Sequence, residues 1–405
     1  MNVKIRFIWS KLAVLWTVLL LSHTSYGQSV DETIRKLSEH GFENVSGLTD
    51  EQGCIYLIEA GAYNTPGRGV AEAVAIIAQT GLSIDKPCTL IMLSNNIPQM
   101  SLTYRPSPGD SICAMSLQSW DASYELPSGW QRARSGQVSN KSLYKVDLTI
   151  YPELYFRNYI ISKVYEVVFN VSPVMEISFW PGMKLSAQVI FPLKNDYGER
   201  YRQIRPGYMS VSQSFRLPAR TYMTVTVGTF NNFRWGLDVR AKHILRDERF
   251  WIDARLGYTA KGYYENWAYY HGREWVLTGS LGTHFYLPSY NTGFEIRGER
   301  YLRGEYGIRA EMMRHFRDAS IGFYITKVEH AGHNGLNGGF IFHVALPPYK
   351  NKRKGFMPRI HAGDFGIRYN AGNEEIYGRS YRTEGNDNQL RENSFNPFFI
   401  KSLNQ

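Results

Sequence analysis

Trp235-Gly236-Leu237-Asp238-Val239-Arg240-Ala241-Lys242-His243 is the stretch on which the fold turns. Trp235, Leu237, Val239 and Ala241 share one face of a two-residue repeat, and Gly236, Asp238, Arg240 and Lys242 share the other. That is the period of a strand with one greasy and one charged side. Arg249 to Tyr258 repeats it, with Phe250, Ile252, Ala254, Leu256 and Tyr258 opposed to Arg249, Asp253 and Arg255, while Trp251 shares the polar face. Phe294 and Ile296 oppose Glu295, Arg297 and Glu299; Tyr306, Ile308, Ala310 and Met312 oppose Glu305, Arg309, Glu311 and His315. The alternation also runs through Tyr208 to Leu217, Ala319 to Glu329 and Gly338 to Leu346, with small or hydroxyl residues on the polar side.

Alternating spans of about 9 to 11 residues fit a tilted strand crossing a bilayer, whereas soluble sandwich strands run to about five or six. From residue 143 to about 370 the pattern predicts about 12 to 14 strands, enough to close a barrel. The expected fold is mostly β, an antiparallel outer-membrane β-barrel preceded by a small α+β domain.

The rest of the 405 residues agrees with an exported chain. Lys4, Arg6 and Lys11 precede the apolar run Leu12 to Leu21, and Ser25-Tyr26-Gly27 offers a cut before Gln28, so residues 1–27 read as a signal peptide. Removing those three basic residues lowers the formal charge from +10 to +7. With only 20% charged residues and 14% aromatics, the chain is neither a disordered segment nor a nucleic-acid binder. No later stretch is apolar enough for a spanning helix, so a membrane-embedded chain of this kind has to be a barrel.

Residues 28–104 read as the α+β domain, on the periplasmic side of the barrel. Ser29 and Glu32 form a capping box for a first helix ending near Gly41, and Gly69 to Gln79 is a second helix stopped by Gly81. Cys54 to Ile58 and Thr89 to Leu93 are strand runs. Residues 105–142, rich in Pro and Gly, read as an irregular connector with one strand near Ile112 to Leu117. Residues 371–405 read as a polar tail. Cys54, Cys88 and Cys113 are odd in number and fit no zinc pattern; buried free thiols are favoured over one bridge.

No nucleophile elbow, phosphate-binding loop or His-Glu-x-x-His motif is present, so neither catalytic residues, nor a cofactor, nor a metal site is assigned, and the chain is not read as an enzyme. His330-x-x-His333 reads as loop. The polar faces supply the candidate lumen: Asp238, Arg240, Lys242, Asp253, Arg255, Glu295, Arg297, Glu299, Arg309 and Glu311. Opposite charges on adjoining strands are expected to pair laterally, Arg240, Arg255, Arg297 and Arg309 with Asp238, Asp253, Glu295 and Glu299. Two readings of such a lumen stand side by side, a charge-balanced interior and a track for a polar or anionic polymer. Tyr263, Tyr264, Trp267, Tyr269, Tyr270 and Trp275 form an aromatic cluster, either a membrane girdle or a sugar-stacking surface. Lys350, Lys352, Arg353 and Lys354 make a basic turn near lipid headgroups.

Gly298-Glu299-Arg300-Tyr301-Leu302-Arg303-Gly304-Glu305-Tyr306-Gly307, Arg314-His315-Phe316 and Ile321-Gly322-Phe323-Tyr324-Ile325-Thr326 together resemble the late barrel signature of the YjbH-like exopolysaccharide-associated outer-membrane proteins. Gly41-Phe42-Glu43-Asn44-Val45 and Tyr63-Asn64-Thr65-Pro66-Gly67-Arg68-Gly69 are similar to their periplasmic domain. The resemblance implies a barrel in the outer membrane of a Gram-negative envelope that assists export or surface assembly of an extracellular or capsular polysaccharide. It implies outer-membrane lipid, the polysaccharide and other polysaccharide-export proteins as partners, and brings no catalytic residues. Fuller members carry an additional N-terminal barrel-like half, so this barrel either closes alone or takes strands from another chain. The alternatives are a structural or adhesion barrel and an enzyme acting on envelope glycan or lipid.

Overall fold

The computed structural model describes residues 30–82, 85–106, 116–158, 165–329, 336–370, 380–385 and 393–403. Residues 1–27, whose sequence reads as a signal peptide, and Ser29, Cys113, His330 and His333 lie outside them.

The α+β domain is a five-stranded sheet in the order β1 (Glu43–Asp50), β2 (Gly53–Glu59), β3 (Cys88–Ser94), β4 (Ile97–Tyr104), β5 (Trp120–Ser123). α1 (Val30–Glu39) and α2 (Pro66–Thr80) accompany it, and α2 carries the chain from β2 to its parallel neighbour β3. Such a parallel step needs a crossover helix. Leu37, Val70, Val74 and Ile77 from the helices bury against Tyr56, Ile58, Leu90, Met92 and Trp120 of the sheet. Cys54 and Cys88 face each other in the β2–β3 register as buried free thiols. Residues 105–142 are more than the connector that their Pro and Gly content suggests. They supply β5 and the short helix α3 (Trp130–Ser135), whose Ala133 covers Leu57 and Ile91 on the other sheet face. A strand sits at Trp120–Ser123; most of the stretch Ile112 to Leu117, where the sequence suggests one, lies outside the described residues.

The second sheet is the barrel. Its antiparallel run is β6 (Val146–Asn158), β7 (Tyr165–Ile177), β8 (Met183–Asn195), β9 (Arg205–Leu217), β10 (Thr221–Phe230), β11 (Arg234–Ile244), β12 (Phe250–Glu265), β13 (Ala268–Leu287), β14 (Thr292–Arg300), β15 (Tyr306–His315), β16 (Ala319–Val328) and β17 (Leu336–Ala345). The closing run follows in two pieces, β18 (Arg359–Ala362) and β19 (Asp364–Asn370). β19 pairs antiparallel with β17, and β18 pairs with β6 in parallel. An up-and-down run of twelve strands leaves the next one pointing the same way as the first. The expected all-antiparallel wall therefore closes on one parallel seam.

Met209, Val227, Leu237, Leu256, Leu281, Ile296, Ile308, Phe323 and Ile325 face outward, and Leu281, Ile296 and Ile308 are each more than 60% exposed. Soluble monomers rarely leave so continuous an apolar surface bare, whereas a bilayer demands one. The inner faces carry the charges. No described helix is long and apolar enough to cross a membrane.

The α+β domain caps one mouth of the barrel. Ile244, Trp251 and Tyr286 on the rim join its hydrophobic core. Arg216 donates to the backbone oxygens of Gln99 (2.8 Å) and Tyr124. At the seam, Arg353 and Arg359, both buried, hold Glu43 of the domain and Asp147 of β6 together, with Arg353 Nε 2.9 Å from Glu43 and Arg359 Nε 2.7 Å from Asp147. The basic turn is thus split: Arg353 is interior mortar, Lys350 pairs with Glu72 of α2 at 2.6 Å, and Lys352 donates to the Glu39 carbonyl.

The polar tail does not trail away. Residues 380–385 lie inside the barrel, and α4 (Pro397–Ser402) docks at the capped mouth with Phe399 and Ile400 buried in the α+β core. Asn396 caps α4, its Oδ1 accepting from the amides of Phe398 and Phe399. β19 ends at the opposite mouth, and residues 380–385 lie in the lumen.

Candidate functional site

Strand alternation sends every second side chain inward, and the structure collects the charged ones around a cavity of about 980 Å³. Arg240, Lys242, Asp253, Arg255, Glu295, Arg297, Glu299, Arg309 and Glu311 line it, and Asp238 is fully buried in its wall. Ser94, Gln99 and Tyr124 of the capping domain line the same space.

The pairing follows the lateral scheme that the sequence suggests only in part, through Arg255 and Asp238 on adjoining strands. Three directly opposed pairs carry like charge, Arg240 with Arg255, Arg297 with Arg309 and Glu295 with Glu311, whereas Lys242 stands opposite Asp253. Like charges opposite are unfavourable, and the structure relieves them along the strands and on diagonals. Arg240 Nε reaches Asp238 on its own strand at 3.1 Å, and Arg255 Nε reaches the same carboxylate from β12 at 2.8 Å. Arg309 pairs with Glu311 two residues along, rather than with Glu299, and Arg297 Nε lies 2.5 Å from Glu295. Arg297 also reaches Asp253 at 3.2 Å although β13 lies between their strands. Gly282 of β13 makes this possible, since a Cβ there would sit 2.4 Å from an Asp253 oxygen. His284 bonds the same Asp253, and Lys242 lies 4.6 Å over the ring of Trp251.

The tail fits into this charge lattice as a plug. The Tyr381 hydroxyl donates to Asp238 Oδ2 (2.7 Å), its ring stacks on Phe230 (5.2 Å between centroids), and the Arg255 guanidinium lies 4.6 Å over its face. Arg240 Nη2 donates to Thr383 Oγ1 (3.0 Å), Lys184 Nζ meets Glu384 (2.5 Å), and Arg382 Nη2 donates to the Tyr155 hydroxyl (2.7 Å). Asn231 closes a two-bond clasp on the Arg382 backbone, and Asn232 holds the Ser380 carbonyl. Gly257 leaves the room that Tyr381 fills: a Cβ there would lie 1.8 Å from the hydroxyl. Sequence reasoning missed this plug. Its signal was the helix start Asn396-Pro397 followed by Phe398-Phe399-Ile400, a docking element in an otherwise polar tail.

The aromatic cluster divides. β12 and β13 form the longest hairpin and turn through Asn266 and Trp267, both at positive φ. A register shift between Ala260 and Gly262 alters the alternation there, and Tyr263 and Tyr264 line the cavity. Trp267, Tyr269, Tyr270 and Trp275 are exposed, with Trp275 stacked on Tyr258 at 4.7 Å on the outer face. Among the described residues no group of His, Cys, Asp and Glu could hold a metal ion.

No protein-family model matches the chain, and no curated protein matches it. Among solved structures it is similar to the outer membrane channel DcaP of Acinetobacter baumannii, at 8% identity and a TM-score of 0.29, over 51% of this chain and 88% of that one. It is also similar to a loop L8 deletion mutant of OmpT, an outer membrane protein of Vibrio cholerae, at 7% identity and a TM-score of 0.26, over 49% of this chain and 85% of that one.

Proposed function

We propose that the protein is an outer-membrane pore assisting export or surface assembly of an extracellular or capsular polysaccharide, its α+β domain in the periplasm and its lumen gated by its own tail. The observation that carries this reading is the lumen itself. Five arginine or lysine side chains, Arg240, Lys242, Arg255, Arg297 and Arg309, alternate with carboxylates and with Tyr263 and Tyr264 around one cavity. Guanidinium groups and carboxylates bond hydroxyls and anionic sugars, and aromatic rings stack on sugar faces. The sequence resemblance to exopolysaccharide-associated barrels supports the same substrate. The other-export-protein partners of such a system would meet the exposed surface of the α+β domain.

Deletion of the gene in a strain that makes a surface polymer is expected to lower surface and secreted polysaccharide, measured by uronic-acid and neutral-sugar assay. Unchanged polymer would leave the structural or adhesion reading, which the plugged lumen favours over an enzyme.

A further inference from the structure

Three connections meet at the mouth away from the α+β domain. The β7–β8 turn lies at the capped mouth, where Gly182 N donates to the Asn95 carbonyl at 2.9 Å, and the β9–β10 turn lies there too, where Arg220 pairs with Glu125 at 3.2 Å. In an up-and-down wall the β8–β9 loop, the β10–β11 turn and the β12–β13 hairpin therefore stand at the other mouth.

Each of the three brings aromatic rings, and the rings touch in series. Tyr197 and Tyr201 of the β8–β9 loop have centroids 6.0 Å apart, Tyr201 and Phe233 5.8 Å, Phe233 and Tyr263 6.3 Å, and Tyr263 stacks on Tyr270 at 5.4 Å. Phe233 holds its place in the β10–β11 turn at positive φ, a conformation that a bulky residue adopts only at a cost. Tyr263 and Tyr270 pair across the β12–β13 hairpin past the ends of both neighbouring ladders, at Lys261 on the β11 side and at Gly279 on the β14 side. Tyr197, Tyr201, Phe233 and Tyr263 line the cavity, so the arc opens on the lumen rather than on lipid, and Tyr270 at its outer end is 48% exposed.

Charge along the arc is balanced within the loop that carries it. Lys194 pairs with Asp196 at 3.3 Å and Arg202 with Glu199 at 2.5 Å. Buried Arg205 braces the loop from inside, donating to the carbonyls of Tyr201 and Gln203 with its guanidinium 5.3 Å over the Tyr201 ring. A nucleic acid or other polyanion is held by cations that neutralise its charges, and carboxylates already meet these. A pyranose asks for something else. Its C–H face is drawn to the electron-rich face of an aromatic ring, and its hydroxyls bond phenols, carboxylates and guanidinium groups.

We propose that this aromatic arc is a binding site for a neutral glycan chain at the mouth away from the α+β domain, its rings taking the faces of successive sugars as the polymer passes between lumen and exterior. This rests on the glycan reading of the lumen and adds to it a second, charge-balanced site with its own residues.

The test titrates the full chain calorimetrically in lauryldimethylamine-oxide micelles, whose headgroup carries no sugar. The probes are cellohexaose, hexaproline and a dextran sulfate fragment of equal length. Cellohexaose alone is expected to bind at the arc, and Y197A, F233A, Y263A and Y270A are each expected to weaken it roughly 2- to 12-fold, the range of one aromatic stacking contact. F233Y keeps a ring face and should bind as wild type. Asn231 and Asn232 beside Phe233 clasp the plug, so Y197A and Y270A test the arc away from that clasp, and heat-modifiable gel mobility checks that each variant is folded. Hexaproline binding as tightly, with the same loss in the ring variants, would make the arc a peptide site and overturn the proposal. Tighter, salt-sensitive binding of dextran sulfate with that loss would make it an anion site and overturn it likewise. No cellohexaose binding, or binding that all four ring variants leave unchanged, overturns the arc. If deletion of the gene still lowers surface polymer in that case, the export reading stands without it. Ring-dependent cellohexaose binding together with unchanged polymer in the deletion strain would keep the site and remove the export reading.

Discussion

Tyr381 hangs its hydroxyl on Asp238 at 2.7 Å, so a residue of the returning tail completes the coordination of a fully buried barrel carboxylate. Arg240 and Arg255 hold the other side of Asp238, so its carboxylate has two cationic partners on the wall besides the plug. A hydrogen bond to a charged group contributes about 1.5–3 kcal/mol. Y381F should therefore raise the unplugged fraction roughly 10- to 150-fold. G257A should act in the same direction by steric means alone, because its methyl would occupy the place of the hydroxyl. Single-channel conductance in planar bilayers checks both: more frequent openings at unchanged unit conductance are expected, and wild-type gating in both variants would mean that the tail does not occlude the pore.

The tail is also a structural clamp. Phe399 and Ile400 of α4 are buried in the α+β core, and Phe398 stacks with Tyr286 on the barrel rim at 6.3 Å. Truncating a buried Phe to Ala costs about 3–5 kcal/mol. F399A should lower the thermal midpoint of the α+β domain and release the plug together, read by melting and by faster proteolysis of the tail. A loss of one without the other would separate the clamp from the gate.

The barrel was legible because a bilayer imposes a two-residue period on long strands, and Trp235 to His243 states that period without interruption. Alternation assigns a face to each side chain but not its neighbour across the ladder. The register that sets Arg240 opposite Arg255 comes from the turn at residues 245–249, and the reach of Arg297 to Asp253 depends on the missing side chain of Gly282 on the strand between them. The plug left no periodic trace, since Tyr381, Arg382 and Thr383 find their partners on several strands rather than on one face. Tyr263 and Tyr264 were ambiguous for a different reason: ring chemistry suits a girdle and a sugar surface alike, and the shift after Ala260 leaves no unbroken parity to decide between them.

Ile308 distinguishes a lipid-facing wall from a water-facing one. It is 63% exposed, and at a solvated surface I308R would be nearly neutral, within about 0.5 kcal/mol. Facing the bilayer midplane, the same change costs roughly 2–4 kcal/mol. Urea titration of the protein folded into phosphatidylcholine vesicles should show this loss, whereas S280R on the lumen side should not show a depth-dependent penalty. A neutral I308R would place this strand outside the hydrocarbon.

Acid should loosen the joint between α2 and the turn that follows β17. Burial alone would push the Glu72 carboxyl up, but hydrogen bonds from Lys350 and from the Tyr63 hydroxyl, together with the Lys350 charge and a smaller contribution from His40, hold it below the ordinary value. Lys350 Nζ is 2.6 Å from one Glu72 oxygen and the Tyr63 hydroxyl 2.5 Å from the other. A carboxyl with a lowered folded pKa binds fewer protons folded than unfolded, so its contribution is full above the ordinary carboxylate value and is lost as pH falls through the lowered one. Glu72 is half-exposed, so the loss is modest and shrinks in high salt. E72Q should therefore destabilise the protein at pH 7, and the wild-type advantage should vanish at low pH as both approach the same midpoint. K350M should remove most of the same acid sensitivity while leaving the Tyr63 contact in place. Thermal melting of the three proteins from pH 7 down to pH 3 at low ionic strength measures this. An unchanged gap between wild type and E72Q across that range would show that the Glu72–Lys350 pair does not carry the joint.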